Sequence, residues 1–541
     1  MSAITLAVGA IFVFLFAYRI YGGLLGKFFD VDPSRKTPAH ESYDGRDYVP
    51  AKHWLFLFGH HFASIAGAGP ILGPVIAVAI WGWGPAVLWI FLGSIFIGGV
   101  HDFSALMVSI REGGRSIAYV AEHALSYKAK LFFSIFLWLT LVLVIAVFAA
   151  SAAKTLSTTP QVVLPTFGLI VVALLVGILT YKYNLNLVLS TAIGILLLFG
   201  LIVLGYHVPI NASFHCWLCI LLGYAFLSSV LPVNILLQPR DYIASFVLLF
   251  GLVFGYVGLF ITHPQINVPF YIQWQGAQGN LWPMMFVIIA CGAISGFHSL
   301  VASGTTAKQL SNEKHARKIG YGAMLTEGLL AVLAILAVSA GLYWKDGPPG
   351  LVYPELMKDG NWIATFGTGY GEIIKPMFGA LGMLIGVTML KTFIMTTLDS
   401  ATRITRYIGE ELFGEALGMK LFKNCYFNTL IVIGFALWLS LGSWQAIWPV
   451  FGAANQLVAA LALFVVTAWL LARNKTLRYT LYPALFMLVT TVIALAYQLL
   501  QFIEQGKITL SVIAAVLIVL AIFMLLEVTK VIKKRAGKDS P

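Results

Sequence analysis

Apolar runs of about 20 residues recur along the whole chain, separated by short polar or basic connections. About 20 residues of helix cross the hydrocarbon of a bilayer. By that rule fifteen spans are predicted, near 3–21, 53–81, 84–110, 131–153, 165–181, 185–205, 214–232, 242–262, 283–306, 320–343, 374–399, 427–441, 445–472, 479–500 and 508–529. The pattern therefore predicts an all-α polytopic membrane protein. The longest connections, 22–52 and 344–373, are read as packed loops. The segment 263–282 carries Tyr271, Trp274 and Trp282, as an outer lid or interfacial belt would.

Two of these spans are interrupted. Residues 58–74, FGHHFASIAGAGPILGP, place Gly67, Ala68, Gly69 and Pro70 in mid-span, followed by Gly73 and Pro74. Proline removes a helix hydrogen bond, and non-helical backbone at membrane depth is tolerated only inside protein or beside a water-filled cavity. A kinked helix packed through small residues is the bland alternative. A second interruption is read five spans later, in GYAFLSSVLPVNILLQPRDY, at Ser228, Ser229, Pro232 and Asn234. Five is odd, so a second group of five would be inserted upside down. Two inverted five-helix repeats with discontinuous first helices predict a LeuT-like (APC-type) core plus accessory helices. The expected divisions are 1–52 (accessory helix and loop), 53–213 (first repeat), 214–400 (inverted second repeat) and 401–541 (accessory helices and basic tail). Substrate is expected between the two breaks, against Gly67, Ala68, Gly69, Pro70, Ser228, Ser229 and Asn234.

Composition agrees with the span count. The 541 residues are 60% hydrophobic and 10% charged, against about 25% charged in a soluble domain. The net charge of +12 sits in short clusters, which argues for topology signals and against nucleic acid. Of 34 Lys and Arg, 27 fall in connections that share one side, five on the other, and Arg19 and Lys391 within spans. The positive-inside rule then sets the N-terminus outside and the C-terminus in the cytoplasm. No basic residue precedes the first span, so an uncleaved helix is expected there. Cys216 and Cys219 in FHCWLC read as small buried hydrophobes.

Ionisable residues inside spans are functional candidates by default. His60 and His61 precede the first break. His101 and Asp102 lie in the next span, His298 in ISGFHSLVASGTT, Glu327 near the inner end of a later span, and Lys391 and Asp399 in MLKTFIMTTLDSATR. In an inverted-repeat core the helices carrying GHH and SGFH lie side by side. His298, Ser299, Ser303, Thr305 and Thr306 are then expected beside the first break. Hydroxyls suit a hard cation, and a histidine or lysine can replace that cation with a proton. The coupling residues expected are thus His60, His61, His101, Asp102, His298, Ser299, Ser303, Thr305, Lys391 and Asp399, with H+ or Na+ as the ion. Each has a structural alternative: a hydrogen-bonded histidine, an Asp102 paired near the inner face, or an Asp399–Arg403 pair at i, i+4. Lys391 is read as a proton carrier, or as a standing charge that neutralises Asp399 or attracts an anionic substrate.

VPAKHWLFLFGHHFASIAGAGPILGP, HDF followed by REGGRS, SGFHSLVASGTTAKQL, DSATRITRYIGEEL and WPVFGAANQLVAALAL resemble, in order, the carbon starvation protein A (CstA) family, from about residue 5 to 470. The resemblance implies an inner-membrane peptide transporter linked to carbon starvation, or, as in some members, a proton-coupled pyruvate importer. It supplies no residue roles. No GxxxxGK[ST] loop is present, so secondary active uptake is expected, with no cofactor. The partners expected are a peptide or small carboxylate, protons or Na+, and the bilayer. A membrane metallohydrolase is the alternative, although HEXXH is absent and adjacent histidines diverge on a helix; a channel or nutrient sensor is another.

Overall fold

The computed structural model describes every residue except 46–47, 52, 182, 184, 232–236, 359, 443 and 537–541. Among the described residues twelve helices are long and apolar enough to cross a membrane, or thirteen when one bent pair is taken as a single span. Two shorter apolar helices accompany them, Phe214–Val230 and Cys425–Ser440. Fifteen crossings require both of these to traverse the bilayer.

In chain order the helices are α1 (Ala3–Phe28), α2 (Trp54–Ile65), α3 (Gly69–Trp81), α4 (Trp83–Arg111), α5 (Tyr127–Thr158), α6 (Val163–Tyr181), α7 (Leu187–His207), α8 (Phe214–Val230) and α9 (Leu237–Thr262). They continue with α10 (Leu281–Gln309), α11 (Gly322–Ala340), α12 (Trp362–Phe378), α13 (Gly382–Gly409), α14 (Cys425–Ser440), α15 (Trp444–Leu471), α16 (Arg478–Glu504) and α17 (Ile508–Ala536). Helices α10 and α15 are almost wholly enclosed by protein, whereas α1, α7 and α17 turn most of their surface outward. The central pair therefore carries what lipid never meets.

The first predicted interruption is present. Helix α2 ends at Ile65, Ala66 leaves the helical region (φ −75°, ψ 72°), and α3 restarts at Gly69 with its axis bent by 45°. Pro70 lies in the first turn of α3, where its missing N–H costs nothing, while Pro74 lies within the helix. Helix α3 is enclosed from Gly69 to Val78, so the freed backbone is shielded from lipid.

The interruption that faces it lies elsewhere than expected. Helix α10 breaks between Ile289 and Gly296: Ala290 has φ 43°, residues Ala290–Gly292 make one 3-10 turn, and Ser295 is extended. Residues 290–295 pack against the start of α3. Helix α8, in contrast, runs to Val230 and packs on α5, α13 and α14. Pro232 and Asn234 lie outside the described residues.

A second difference concerns the predicted span 374–399 and the loop 344–373. Residues Trp362–Phe378 form a separate helix, α12, which turns at Gly379 (φ 55°) and folds back along α13. A Cβ on Gly367, Gly369 or Gly371 would lie 2.4 Å from Val387 Cγ2, 2.2 Å from the Ala337 carbonyl oxygen or 2.7 Å from the Met383 nitrogen. Glycine is what lets α12 lie this close to its neighbours. Residues Ile373 and Ile374 meet Gly258, near the end of α9, so α12 covers one end of the bundle.

Candidate functional site

The two interrupted segments touch directly. A Cβ on Gly69 would lie 2.6 Å from Cys291 Sγ, one on Gly73 would lie 2.4 Å from the Ile288 carbonyl oxygen, and Gly292 lies against Pro70. Of the residues expected to meet substrate, Gly67, Ala68, Gly69 and Pro70 are therefore at this junction. Gly67 faces Phe148 of α5 and Thr397 of α13, at 2.8 and 2.9 Å from its missing Cβ. Thr397 also donates to the Ser64 carbonyl at 3.4 Å, on the last turn of α2. The partner loop is held by Asn455 of α15: its Oδ1 accepts the Phe297 N–H at 3.0 Å and its Nδ2 donates to Ser295 Oγ at 2.9 Å. Asn455 thus stands in for the helical partner that the break removes. Asn455→Leu strands both groups, so a loss of about 1–3 kcal/mol is expected. A lowered Tm of the purified protein would register it, and an unchanged Tm would show the cap to be dispensable.

Ser228 and Ser229 do not join this junction. Ser228 Oγ donates to Asp399 Oδ1 at 3.1 Å, and Ser229 meets Thr429 of α14 at 3.4 Å. Asn234 lies outside the described residues. Asp399 is the hub of a separate buried cluster: it forms an ion pair with Arg240 and accepts from Tyr224 Oη at 2.8 Å. Arg240 also donates to Tyr224 Oη and Thr396 Oγ1, both at 2.8 Å. Arg240 therefore neutralises Asp399, whereas Lys391 and Arg403 were the expected partners. Arg403 donates to the carbonyls of Ser228 and Leu231. Lys391, fully enclosed, donates to the Ala152 carbonyl of α5.

Four of the predicted titratable residues lie around the first break and its neighbours. Asp102 Oδ1 accepts from His101 Nδ1 at 2.7 Å, and Asp102 Oδ2 accepts from His298 Nδ1 at 2.8 Å. His61 Nδ1 meets Thr306 Oγ1 at 2.8 Å. His60, on the adjacent face of α2, is partly exposed and bonds Asp241 of α9 at 3.1 Å. Two π-helical turns, Ser94–Gly98 and Ala302–Thr306, bracket this group; such turns are frequent at functional sites. Ser299, Ser303 and Thr305 each donate to a carbonyl of their own helix, at 2.7, 2.6 and 3.0 Å. Among the described residues no three His, Cys, Asp or Glu side chains converge so as to hold a metal ion.

A cavity of about 360 Å³ opens from one end of the bundle toward the first break, lined by His60, Ser64, Thr305, Lys308, Ser400 and Arg403 among others. Tyr353, in the segment before α12, donates to the Val75 carbonyl of α3, and Trp362 packs edge-on against Trp444 at 5.1 Å. The sequence missed Asn455, Arg240, Tyr224 and Tyr353, because each acts through a partner at least sixteen residues away.

The family model for the carbon starvation protein CstA matches residues 2–367 and 353–494. The peptide transporter CstA of Escherichia coli (strain K12) is 32% identical, over 91% of this chain and 81% of that protein. The pyruvate/proton symporter BtsT of the same organism is 31% identical, over 92% of this chain and 82% of that protein. The peptide transporter CstA of Bacillus subtilis (strain 168) is 31% identical, over 92% and 89%. Among solved structures, a manganese transporter of Eremococcus coleocola superposes with a TM-score of 0.56 at 12% identity, over 90% of this chain and 99% of that one. The fold is thus LeuT-like, a multi-pass helical bundle. Matched along nearly its whole length by the family model and by relatives of this closeness, the chain belongs to the carbon starvation protein CstA family.

Proposed function

We propose that this chain is a secondary active importer of small polar carbon nutrients, short peptides or pyruvate, driven by protons across a bacterial inner membrane. The observation that carries the proposal is the contact between two interrupted helices, at Gly69–Gly73 and Ile288–Gly292, beside a cavity lined by His60 and Ser64 of α2 and Leu300 and Val301 of α10. Such breaks present unpaired backbone groups to a polar ligand without exposing them to lipid. Substrate then lies against Gly67, Ala68, Gly69 and Pro70 on one side and the 290–295 turn on the other. The basic connections set the N-terminus outside and the C-terminus in the cytoplasm, so the open cavity faces inward and Tyr353 closes the outer path.

The symmetry is best served by repeats other than those expected from the spacing of spans. Helix α9 lies on α2 and α13, as α15 lies on α10 and α5. Short α8 and short α14 each bridge α5 and α13. The proposed repeats are therefore α2/α3, α4, α5, α8, α9 and α10, α11, α13, α14, α15. The α6–α7 hairpin is inserted in the first, and α12 is an outer cover in the second.

The His101–Asp102–His298 group, packed behind the two breaks, supports H+ rather than Na+ as the coupling ion. The hydroxyls of Ser299, Ser303 and Thr305 donate to carbonyls of their own helix, and Ser303 Oγ also accepts the Ile117 N–H. His61 flanks this group. His60 and Asp399 are proposed to tie α2, α9 and α13 together rather than to carry the ion.

Uptake into proteoliposomes tests the proposal. Labelled pyruvate and labelled dialanine are supplied with and without an inwardly directed proton gradient. At least one solute is expected to accumulate, and a protonophore to abolish the accumulation. If neither solute is concentrated under a proton or a Na+ gradient, the proposal fails.

A further inference from the structure

Glu327, on α11, is fully enclosed, and neither of its oxygens has a hydrogen-bond donor among the described residues. One oxygen, Oε2, lies 3.4 Å from His298 Nε2. The other side of that imidazole is fixed, because its Nδ1 meets Asp102 Oδ2 at 2.8 Å. Asp102 also receives His101 Nδ1 at 2.7 Å. An ionised carboxylate only accepts, so both imidazoles turn an Nδ1–H toward Asp102. A neutral His298 is then left with an unprotonated Nε2, 3.4 Å from a carboxyl oxygen of Glu327 and with the Ile65 backbone also beside the ring.

Two acceptors at that separation repel unless a proton lies between them. Asp102 has two donors and is satisfied as an anion. Glu327 has none, and a buried carboxylate without donors is strongly disfavoured as an anion. The proton that reconciles this geometry belongs on Glu327, whose neutral carboxyl then donates to His298 Nε2.

We propose that Glu327 is the proton carrier of the transport cycle, with His298 as its acceptor and Asp102 as the positioning residue that fixes the His298 tautomer; this rests on the proton-coupled reading above. On release the O–H bond at Glu327 Oε2 breaks and an N–H bond forms at His298 Nε2. The product is an imidazolium between two carboxylates. Water that enters past Leu300 and Val301, where α10 lines the cavity, then takes the proton from Nε2. The titratable groups around Glu327 are His298 on α10, Asp102 and His101 on α4, and Cys291 on the interrupted turn, with His61 of α2 beyond His298.

The position of Glu327 links its charge to the substrate. One turn further along α11, Ala331 lies against Gly292, 2.9 Å from a Cβ placed there. The carbonyl of Gly292 accepts from Ser94 Oγ at 3.0 Å, and Ser94 in turn abuts Gly328. Loss of the Glu327 proton therefore places a new charge beside the turn that closes on substrate. Lys391, bonded to α5, has no part in this chain of contacts.

The test is Glu327→Gln in two assays. In proteoliposomes the variant is expected to exchange internal for external solute within about threefold of the native rate, yet to accumulate none above the no-gradient control under a proton gradient. Proton-driven accumulation equal to the native level would overturn the proposal. Asp102→Asn is expected to shift the pH profile of accumulation, and an unmoved profile would remove its positioning role. Infrared spectroscopy of the purified protein at neutral pH decides even if no solute is transported. A protonated-carboxyl C=O band is expected in the native chain and in Asp102→Asn, and is expected to be lost in Glu327→Gln. Its persistence in Glu327→Gln would equally overturn the assignment. Failure of the native chain to move either solute counts against the transporter proposal and leaves the infrared result to stand by itself.

Discussion

Asp399→Ala is expected to destabilise the folded protein by about 3–5 kcal/mol, because it strands the guanidinium of Arg240 inside the bundle. Arg240 and Asp399 are each only 1% exposed. The hydroxyls of Tyr224 and Thr396 remain as partners for the cation but carry no compensating charge. The loss should appear as a sharp fall in Tm and in the yield of monodisperse protein. Adding Arg240→Met to Asp399→Ala removes the stranded charge and should restore most of the loss, since a buried pair replaced by apolar groups is often neutral in energy. A single variant that melts like the native chain would show that water reaches Arg240. Because the pair joins α9 to α13, its loss also frees the ends of the two helices that flank α2.

Gly67→Leu is expected to remain folded but to lower kcat/KM for uptake by at least about a hundredfold, roughly 2.7 kcal/mol of transition-state stabilisation. The missing side chain at this position is bounded by the Phe148 ring and the Thr397 hydroxyl. A leucine there must displace one of them and fills the space between the unwound backbone and α5. Solute uptake and Tm measured on the same preparation separate the two effects. Uptake near the native rate would remove Gly67 from the path of the substrate.

The sequence made the first interruption legible because its cause is local. Glycines and prolines between 67 and 74 break the helix wherever it is placed. The facing interruption contains no proline, and its extended residues are held by Asn455, about 160 positions away. Ser228, Ser229, Pro232 and Asn234 gave a louder local signal, but Pro232 and Asn234 lie outside the described residues and the two serines pack on Asp399 and Thr429. Helix α12 escaped notice for a related reason. Its glycines read as loop, yet they are the surface through which α11 and α13 approach. In the site, His61, His101, Asp102 and His298 stood out because ionisable groups are rare in spans. Their mutual bonds did not stand out, because Asp102 and His298 lie 196 residues apart. Arg240 looked like one more cytoplasmic charge, and only tertiary packing turns it into the counter-ion of Asp399.

The two short helices carry a consequence of their own. At 17 and 16 residues, α8 and α14 are each about 25 Å long, against a hydrocarbon thickness of about 30 Å. Both present apolar side chains outward, including Leu227 and Ile220 on α8 and Leu430 and Trp438 on α14. Where these two helices cross the bilayer, acyl chains along their flanks must compress to meet them, at fractions of a kcal/mol per ångström of mismatch. Because both helices rest on α5 and α13, that compression bears on the scaffold itself. The length of the host's fatty acids thereby becomes a mechanical load on the protein.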